Sequence, residues 1–227
     1  MENLDLYSKV EHLLGIEEST QYLHTLYTEI LYNYEVKTLL DIGCGRGDLM
    51  QTFQKYDISC DGIDLSPLMV QKAQAKGLNA EHKSICEVGK KYDAIVSVFD
   101  VLNFVKPDEL GRFLDCVHDA LNEDGIFVFD INTLHGFSNV AEGTMTAEEE
   151  DMFLAVDAVF KDNELHTKFT LFTKEEESCH KKEQNTIIQY FHGLQGFKKL
   201  KNFKVVQSAY LDMYDEKDKA LIVLKKV

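Results

Sequence analysis

Residues 38–49 read Thr-Leu-Leu-Asp-Ile-Gly-Cys-Gly-Arg-Gly-Asp-Leu. An apolar run (Leu39, Leu40, Ile42) meets glycines at alternate positions, Gly43, Gly45 and Gly47, and Leu49, Met50 and Phe53 then recur at helical spacing. This pattern predicts a buried strand, a tight turn and a helix start. Glycines there let the backbone take positive φ and approach a ligand closely, and a helix start offers free N–H groups to an anionic group. The spacing is not that of a dinucleotide loop, because the third glycine comes one residue early and Asp48 occupies its place. Nor is it a P-loop, because no lysine follows Gly47. Asp41 adds negative charge beside the loop, which disfavours a pyrophosphate and suits an ammonium or a sulfonium. A second acid, Asp64, stands 17 residues beyond Gly47 at the end of a second predicted strand. A carboxylate so placed accepts hydrogen bonds from both hydroxyls of a ribose. Ser66 and Pro67 then mark a helix cap and a first helical position.

Leu-Asp-Ile-Gly-Cys-Gly-Arg-Gly (residues 40–47) followed by Gly-Ile-Asp-Leu-Ser (62–66) resembles the first two motifs of the Rossmann-like (class I) S-adenosylmethionine-dependent methyltransferases. Phe99-Asp100 to Phe104 resembles their fourth motif, and Phe129-Asp130-Ile131-Asn132-Thr133 resembles a small-molecule subgroup. The resemblance is close over residues 38–134 and one of pattern over 187–227. It implies an α/β fold: a seven-stranded, mostly parallel sheet with an antiparallel last strand and helices on both faces. A small antiparallel β insertion would act as a lid. S-adenosyl-L-methionine is the implied cofactor, with Asp41, Gly43, Cys44, Gly45, Gly47, Asp64, Leu65, Ile85, Cys86, Phe99 and Asp100 around it. The family's usual acid after the third strand is replaced by Ser84-Ile85-Cys86, so backbone groups and the Ile85 and Cys86 side chains are expected to hold adenine. Open α/β sheets bind ligands outside the carboxyl ends of their strands. Asp130, Asn132, Thr133 and His135 are therefore expected to contact the acceptor, Asn103 to turn toward the same cleft, and Tyr7 to serve as a pocket aromatic. Methyl transfer depends mainly on positioning. A general base serves only an acceptor that must lose a proton, and His135 is nominated first, then Tyr190 and His192.

The elements that must position these residues follow from periodicity. Helices are predicted over 4–14, 19–34, 48–56, 67–76 (stopped by Gly77), 108–121 and 187–200. Strands are predicted over 58–64, 79–83, 92–99, 126–131, 203–211 and 219–225, with turns at 122–125 and 215–218. Residues 153–160 and 165–173 read as a hairpin about Asp162-Asn163. The acidic runs 148–151 and 175–177 read as solvated turns. The expected division is an N-terminal helical segment (1–37), a cofactor-binding core (38–134), a substrate lid (135–186) and a C-terminal helix and hairpin completing the core sheet (187–227).

Length and composition agree with one globular unit of 227 residues, 44% hydrophobic and 28% charged. The net charge of −15 repels phosphate backbones and anionic lipid surfaces, which argues against nucleic acid and membrane. The Lys198, Lys199, Lys201 and Lys204 cluster reads as a solvated helix end. Neither a signal peptide nor a membrane-spanning stretch is expected from the sequence. Five cysteines without Cys-x-x-Cys spacing point to a reducing compartment, with neither a disulfide framework nor a zinc site. The expectation is a cytoplasmic enzyme, monomeric or homodimeric, that methylates N or O of a small molecule without a metal. A protein or tRNA methyltransferase, a non-catalytic cofactor-binding module and a nicotinamide-dependent oxidoreductase are the alternatives.

Overall fold

A computed structural model describes residues 4–176 and 179–227. Strands β1 (Thr38–Ile42), β2 (Ser59–Asp64), β3 (Ala80–His82), β4 (Tyr92–Ser97) and β5 (Leu121–Asn132) run parallel, in the order β3-β2-β1-β4-β5. Beyond β5 lie β11 (Lys219–Lys226) and then, at the edge, β10 (Phe203–Leu211), each antiparallel to its neighbour. This is the predicted seven-stranded sheet.

Alternation along the strands sorts side chains to two faces. Leu40, Ile95, Phe127, Phe129, Ile222 and Leu224 face one way, onto Leu114 and Val117 of helix α5 (Leu110–Asp119). Leu39, Ala94, Val96, Val128, Leu221 and Val223 face the other. They pack against Leu23, Tyr27 and Leu31 of α2 (Glu17–Asn33) and Leu49 and Phe53 of α3 (Asp48–Gln54). Helix α4 (Pro67–Ala75) starts as predicted: the Met69 N–H donates to Ser66 Oγ at 3.3 Å, Pro67 opens the helix, and Gly77 (φ 76°) follows its end.

The insertion is a four-stranded antiparallel meander of β6 (Gly143–Glu149), β7 (Met152–Lys161), β8 (Glu164–Glu176) and β9 (Cys179–Tyr190). Asp162 and Asn163, both at positive φ, form the predicted turn between β7 and β8. Leu154, Val156, Phe169, Leu171 and Ile187 on its underside bury Leu6 and Val10 of α1 (Asp5–Val10).

The structure corrects several expectations. Residues 187–190 continue β9 instead of opening a helix over 187–200. Thr186, Ile187 and Ile188 pair with Lys168, Thr167 and His166, and β-branched side chains suit that ladder. Only Leu194–Phe197 is helical (α6), between Gly193 and the turn at Lys198. The N-terminal helix ends at Val10, and Glu11–Leu14 is a single 3-10 turn closed by Gly15 at φ 65°. The tetrapeptide 122–125 is an irregularity within β5, with Asp124 at φ 63° and a register shift between Tyr92 and Ala94 opposite. Glu148 and Glu149 belong to β6, and Glu175 and Glu176 to β8, not to turns; Glu177 lies outside the described residues. Cys86 and Cys116 form a disulfide, where the cysteine pattern predicted none. The two sit in adjacent elements, a juxtaposition that spacing along the chain does not reveal.

Candidate cofactor and acceptor site

The glycine corner joins β1 to α3 at the carboxyl end of the sheet. Gly43, Gly45 and Gly47 have φ of 74°, 53° and 80°, a region costly for other residues. Gly43 N–H and Cys44 N–H donate to the Ile63 carbonyl at 2.8 and 3.1 Å, and Gly45 N–H donates to Asp64 Oδ2 at 2.9 Å. The corner is thus tied to the end of β2. A Cβ on Gly43 would come within 2.7 Å of Val101, and one on Gly47 within 2.2 Å of Leu78. Gly45 has nothing within 4 Å on that side, so a ligand can approach its backbone. The first turn of α3 carries its own anion: Asp48 accepts from Arg46 Nε and Lys76 Nζ, each at 2.5 Å.

Asp41 is 2% exposed, and no hydrogen bond from a described residue reaches its carboxylate. Burial first, and then the charge of Asp64, push its pKa up to about 7. Asp64 is also raised by burial, although the N–H groups of Ser66 (2.7 Å) and Gly45 pull it back. Two accepted bonds leave lone pairs on Asp64 for ligand hydroxyls. Leu65 beside it is 43% exposed. Ile85 is buried in the core face that holds α5. Cys86 is exposed and bridged to Cys116, so the expected free thiol contact is replaced by a disulfide.

The end of β4 is strained and braced. Phe99 (φ 67°) and Asp100 (φ 53°) are consecutive left-handed residues, a conformation that persists only when surroundings enforce it. Asp130, fully buried, supplies the enforcement. Its Oδ1 accepts from Phe99 N–H (2.7 Å) and the Tyr27 hydroxyl (2.8 Å), and its Oδ2 from Asp100 N–H (2.9 Å) and Lys219 Nζ (3.3 Å). Lys219 also pairs with Asp100 Oδ1, and Gln189 Nε2 donates to Asp100 Oδ2 at 2.5 Å. The Lys219 ammonium stands 5.2 Å from the centre of the Phe99 ring. Burial alone would lower the Lys219 pKa, but Asp100 and Asp130 hold it above the usual lysine range. Burial raises Asp100, Lys219 opposes this and Asp130 adds to it.

Several nominated residues therefore brace the site instead of lining it. Asp130, expected to touch the acceptor, is spent on the chain itself because its oxygens receive donors from four residues. Asn103 is fully buried: its Nδ2 donates to the Tyr190 carbonyl at 2.8 Å and its Oδ1 accepts from Asn132 N–H at 3.0 Å. His192 is 6% exposed with Nε2 2.9 Å from the Val105 carbonyl, and burial lowers its pKa. Tyr190 lies in the β8–β9 ladder opposite Glu164. Asn132 is half-buried at the end of β5. Thr133 Oγ1 donates to the Lys217 carbonyl at 2.7 Å, so it holds the turn before β11. His135 stands on the rim, its side chain 40% exposed and Nε2 2.9 Å from Asp215 Oδ2.

Tyr7, half-buried, meets the Phe169 ring edge-on at 5.9 Å. Its hydroxyl is raised by burial and then by Asp100, Glu11 and Tyr214. Lys219, Gln189, Tyr27 and Tyr214 escaped the sequence reading. The one signal available was a lysine opening the apolar strand Lys219–Lys226.

The N-terminal segment crosses this region. Lys72 Nζ donates to the Ser8 carbonyl at 2.8 Å, Ser66 Oγ to Asp5 Oδ1 at 3.3 Å, and Arg46 pairs with Glu11 at 3.1 Å. Lys9 and His12 reach Glu183 and Glu149 of the four-stranded sheet at 2.7 and 3.1 Å. Among the described residues no cluster of His, Cys, Asp and Glu is arranged to hold a metal, and no helix is long and apolar enough to cross a membrane.

Residues 39–125, which carry the glycine corner, Asp64 and the end of β4, match the methyltransferase domain family. In that segment, and in fold along its length, the chain is similar to the Rossmann-like S-adenosylmethionine-dependent methyltransferases. The chain is similar in fold to an S-adenosylmethionine-dependent methyltransferase from Clostridium acetobutylicum ATCC 824, with TM-score 0.81, 19% identity, and coverage of 97% of this chain and 99% of that one. It is also similar in fold to CalS10, an amino pentose methyltransferase from Micromonospora echinaspora solved with S-adenosylmethionine bound. There the TM-score is 0.74 at 16% identity, over 98% of this chain and 97% of that one. In sequence, a candidate methyltransferase of Geobacillus sp. (strain WCH70) is 27% identical over 127 residues, 51% of each protein. The chain thus spans about half the length of that relative.

Proposed function

We propose that the protein binds S-adenosyl-L-methionine and transfers its methyl group to N or O of a small molecule. The observation that carries this reading is Asp41, a buried carboxylate with no hydrogen-bond donor among the described residues, at the end of the strand that leads into the glycine corner and paired in register with Gly62 of the strand that ends in Asp64. An ammonium suits Asp41 and a ribose diol suits Asp64, and the open approach at Gly45 lets both be reached. The residues present therefore fit the cofactor, with Leu65, Ile85 and the Phe99–Asp100 corner completing its surroundings. When bound, the cofactor supplies an electrophilic methyl on a sulfonium. The chain's task is to hold the acceptor in line and exclude water, and positioning alone can remove roughly 7–11 kcal/mol of barrier.

The acceptor space is assigned to the region between Tyr7, Tyr214, Asn132 and the underside of the four-stranded sheet. His135, oriented by Asp215, remains the nominated base for an acceptor that must lose a proton, a contribution of roughly 10²–10⁴-fold. The roof supports a small acceptor over a protein, and the −15 charge weighs against tRNA. The amino pentose substrate of CalS10 makes amino sugars the first class to screen. A cytoplasmic monomer or homodimer belongs to the same proposal.

Thermal unfolding with S-adenosylmethionine, S-adenosylhomocysteine, NAD and no ligand tests the cofactor. A ligand at 100 times its Kd adds about 2.7 kcal/mol, so the first two are expected to raise Tm by several degrees and NAD to leave it unchanged. No shift with either sulfur ligand would overturn the reading.

A further inference from the structure

Between β3 and β4 the chain makes one short 3-10 turn, Ile85–Glu87. Three things hold it. The Ile85 side chain is buried in the core, and Glu87 Oε2 accepts from Ser84 N–H and Ser84 Oγ at 2.8 and 3.0 Å. The third is covalent: Cys86 is bonded to Cys116 of α5, 30 residues along the chain. The Ser84–Glu87 pair is exposed to water, and so is Cys86, whereas Cys116 is half-buried. The free thiols among the described residues lie elsewhere: Cys44 and Cys60 under the glycine corner and Cys179 at the start of β9.

We propose that the Cys86–Cys116 bond is a redox-sensitive strap that holds the adenine-facing wall in place, and that its reduction weakens cofactor binding. The inference rests on the assignment of Ile85 to the adenine wall. The reductant is a dithiol of the thioredoxin chemical class. Its thiolate attacks the exposed Cys86 sulfur, the S–S bond breaks, and Cys116 leaves as a thiolate that takes up a proton. The second thiol of the reductant then displaces Cys86 from the mixed disulfide, and Cys86 takes up the other proton. Two electrons and two protons pass to the protein and the dithiol becomes a disulfide. With the strap closed the wall is ordered before the ligand arrives. With it open, one buried isoleucine and a solvated cap must order the wall on binding, and affinity falls by that cost.

The full chain should be prepared oxidised, reduced with dithiothreitol and as C116S, with peptide mass mapping to establish the Cys86–Cys116 link in the first. Calorimetric titration with S-adenosylhomocysteine then reads Kd, and thermal unfolding verifies that all three forms are folded. Kd about 3- to 10-fold weaker in both the reduced and C116S forms is the expected result. Equal Kd in the three folded forms, or no Cys86–Cys116 link in protein exposed to oxidised glutathione, would overturn the strap. If no form binds, the cofactor assignment itself fails and the strap fails with it.

Discussion

Asp41 and the Asp100–Asp130–Lys219 group show two ways of burying charge. Asp41 is buried without a donor among the described residues, and its pKa near 7 lies above the 3.8 of an exposed aspartate. A carboxylate raised on folding stabilises most when protonated. The cost of its ionisation starts above the unfolded pKa and is complete above about pH 7. D41N is therefore expected to raise the Tm of the unliganded protein at pH 8 by an amount worth on the order of a few kcal/mol. The gain should vanish below pH 4, and the same variant should lose affinity for S-adenosylmethionine. A Tm at pH 8 equal to that of the unsubstituted protein would refute this account. Lys219, by contrast, is 2% exposed but touches both carboxylates. Removing one partner of a buried ion cluster leaves uncompensated charge and costs about 3–5 kcal/mol. K219M is thus expected to lower the unfolding free energy from urea titration by that much, more than any surface lysine substitution. A shift under 1 kcal/mol would mean that the cluster is solvated.

At the scale of elements, the site is a set of corners locked to neighbours. The glycine corner is bonded to the end of β2, and the corner after β4 to Asp130 of β5. The end of β9 meets the core through Gln189–Asp100 and Asn103–Tyr190. At Gly47 an added Cβ would lie 2.2 Å from Leu78 Cδ1 at φ 80°. G47A therefore combines backbone strain of about 1–3 kcal/mol with displacement of Leu78. The expected outcome is a lower Tm together with weakened S-adenosylhomocysteine binding by calorimetry. G77A, also left-handed but with open space around it, should lose stability and keep binding. Equal loss of binding in both would show that the corner has no special role.

For the whole molecule, charge and cross-linking set the outward behaviour. At −15, the surface should give no retention of tRNA at 0.15 M salt. Binding in filter assays at that ionic strength, with affinity falling steeply as salt rises, would reverse the preference for a small acceptor. The 30-residue loop closed by Cys86 and Cys116 restricts the unfolded chain, which corresponds to about 3–4 kcal/mol in the entropic account. Reduction is accordingly expected to lower Tm by several degrees even without ligand.

The family resemblance implied the order of the sheet, while the local signals in the chain determined most of the core strands, the glycine corner, the helix cap at Ser66 and the hairpin at Asp162-Asn163. Each is set by neighbouring residues through side-chain period, glycine conformation or capping, and neighbours are what a sequence displays. Residues 187–200 misled because Ile187, Tyr190, Phe191 and Leu194 fit a helix face. Only pairing with β8, a partner about 20 residues away, makes 187–190 a strand. The tertiary structure alone decided that Asp130, Asn103 and His192 are braces and not contacts. It also brought Lys219 from the last strand to Asp100 and joined Cys86 to Cys116. Those outcomes depend on which chain-distant groups share a buried volume, where an unpaired charge or donor is costly. Spacing along the chain carries no record of that neighbourhood.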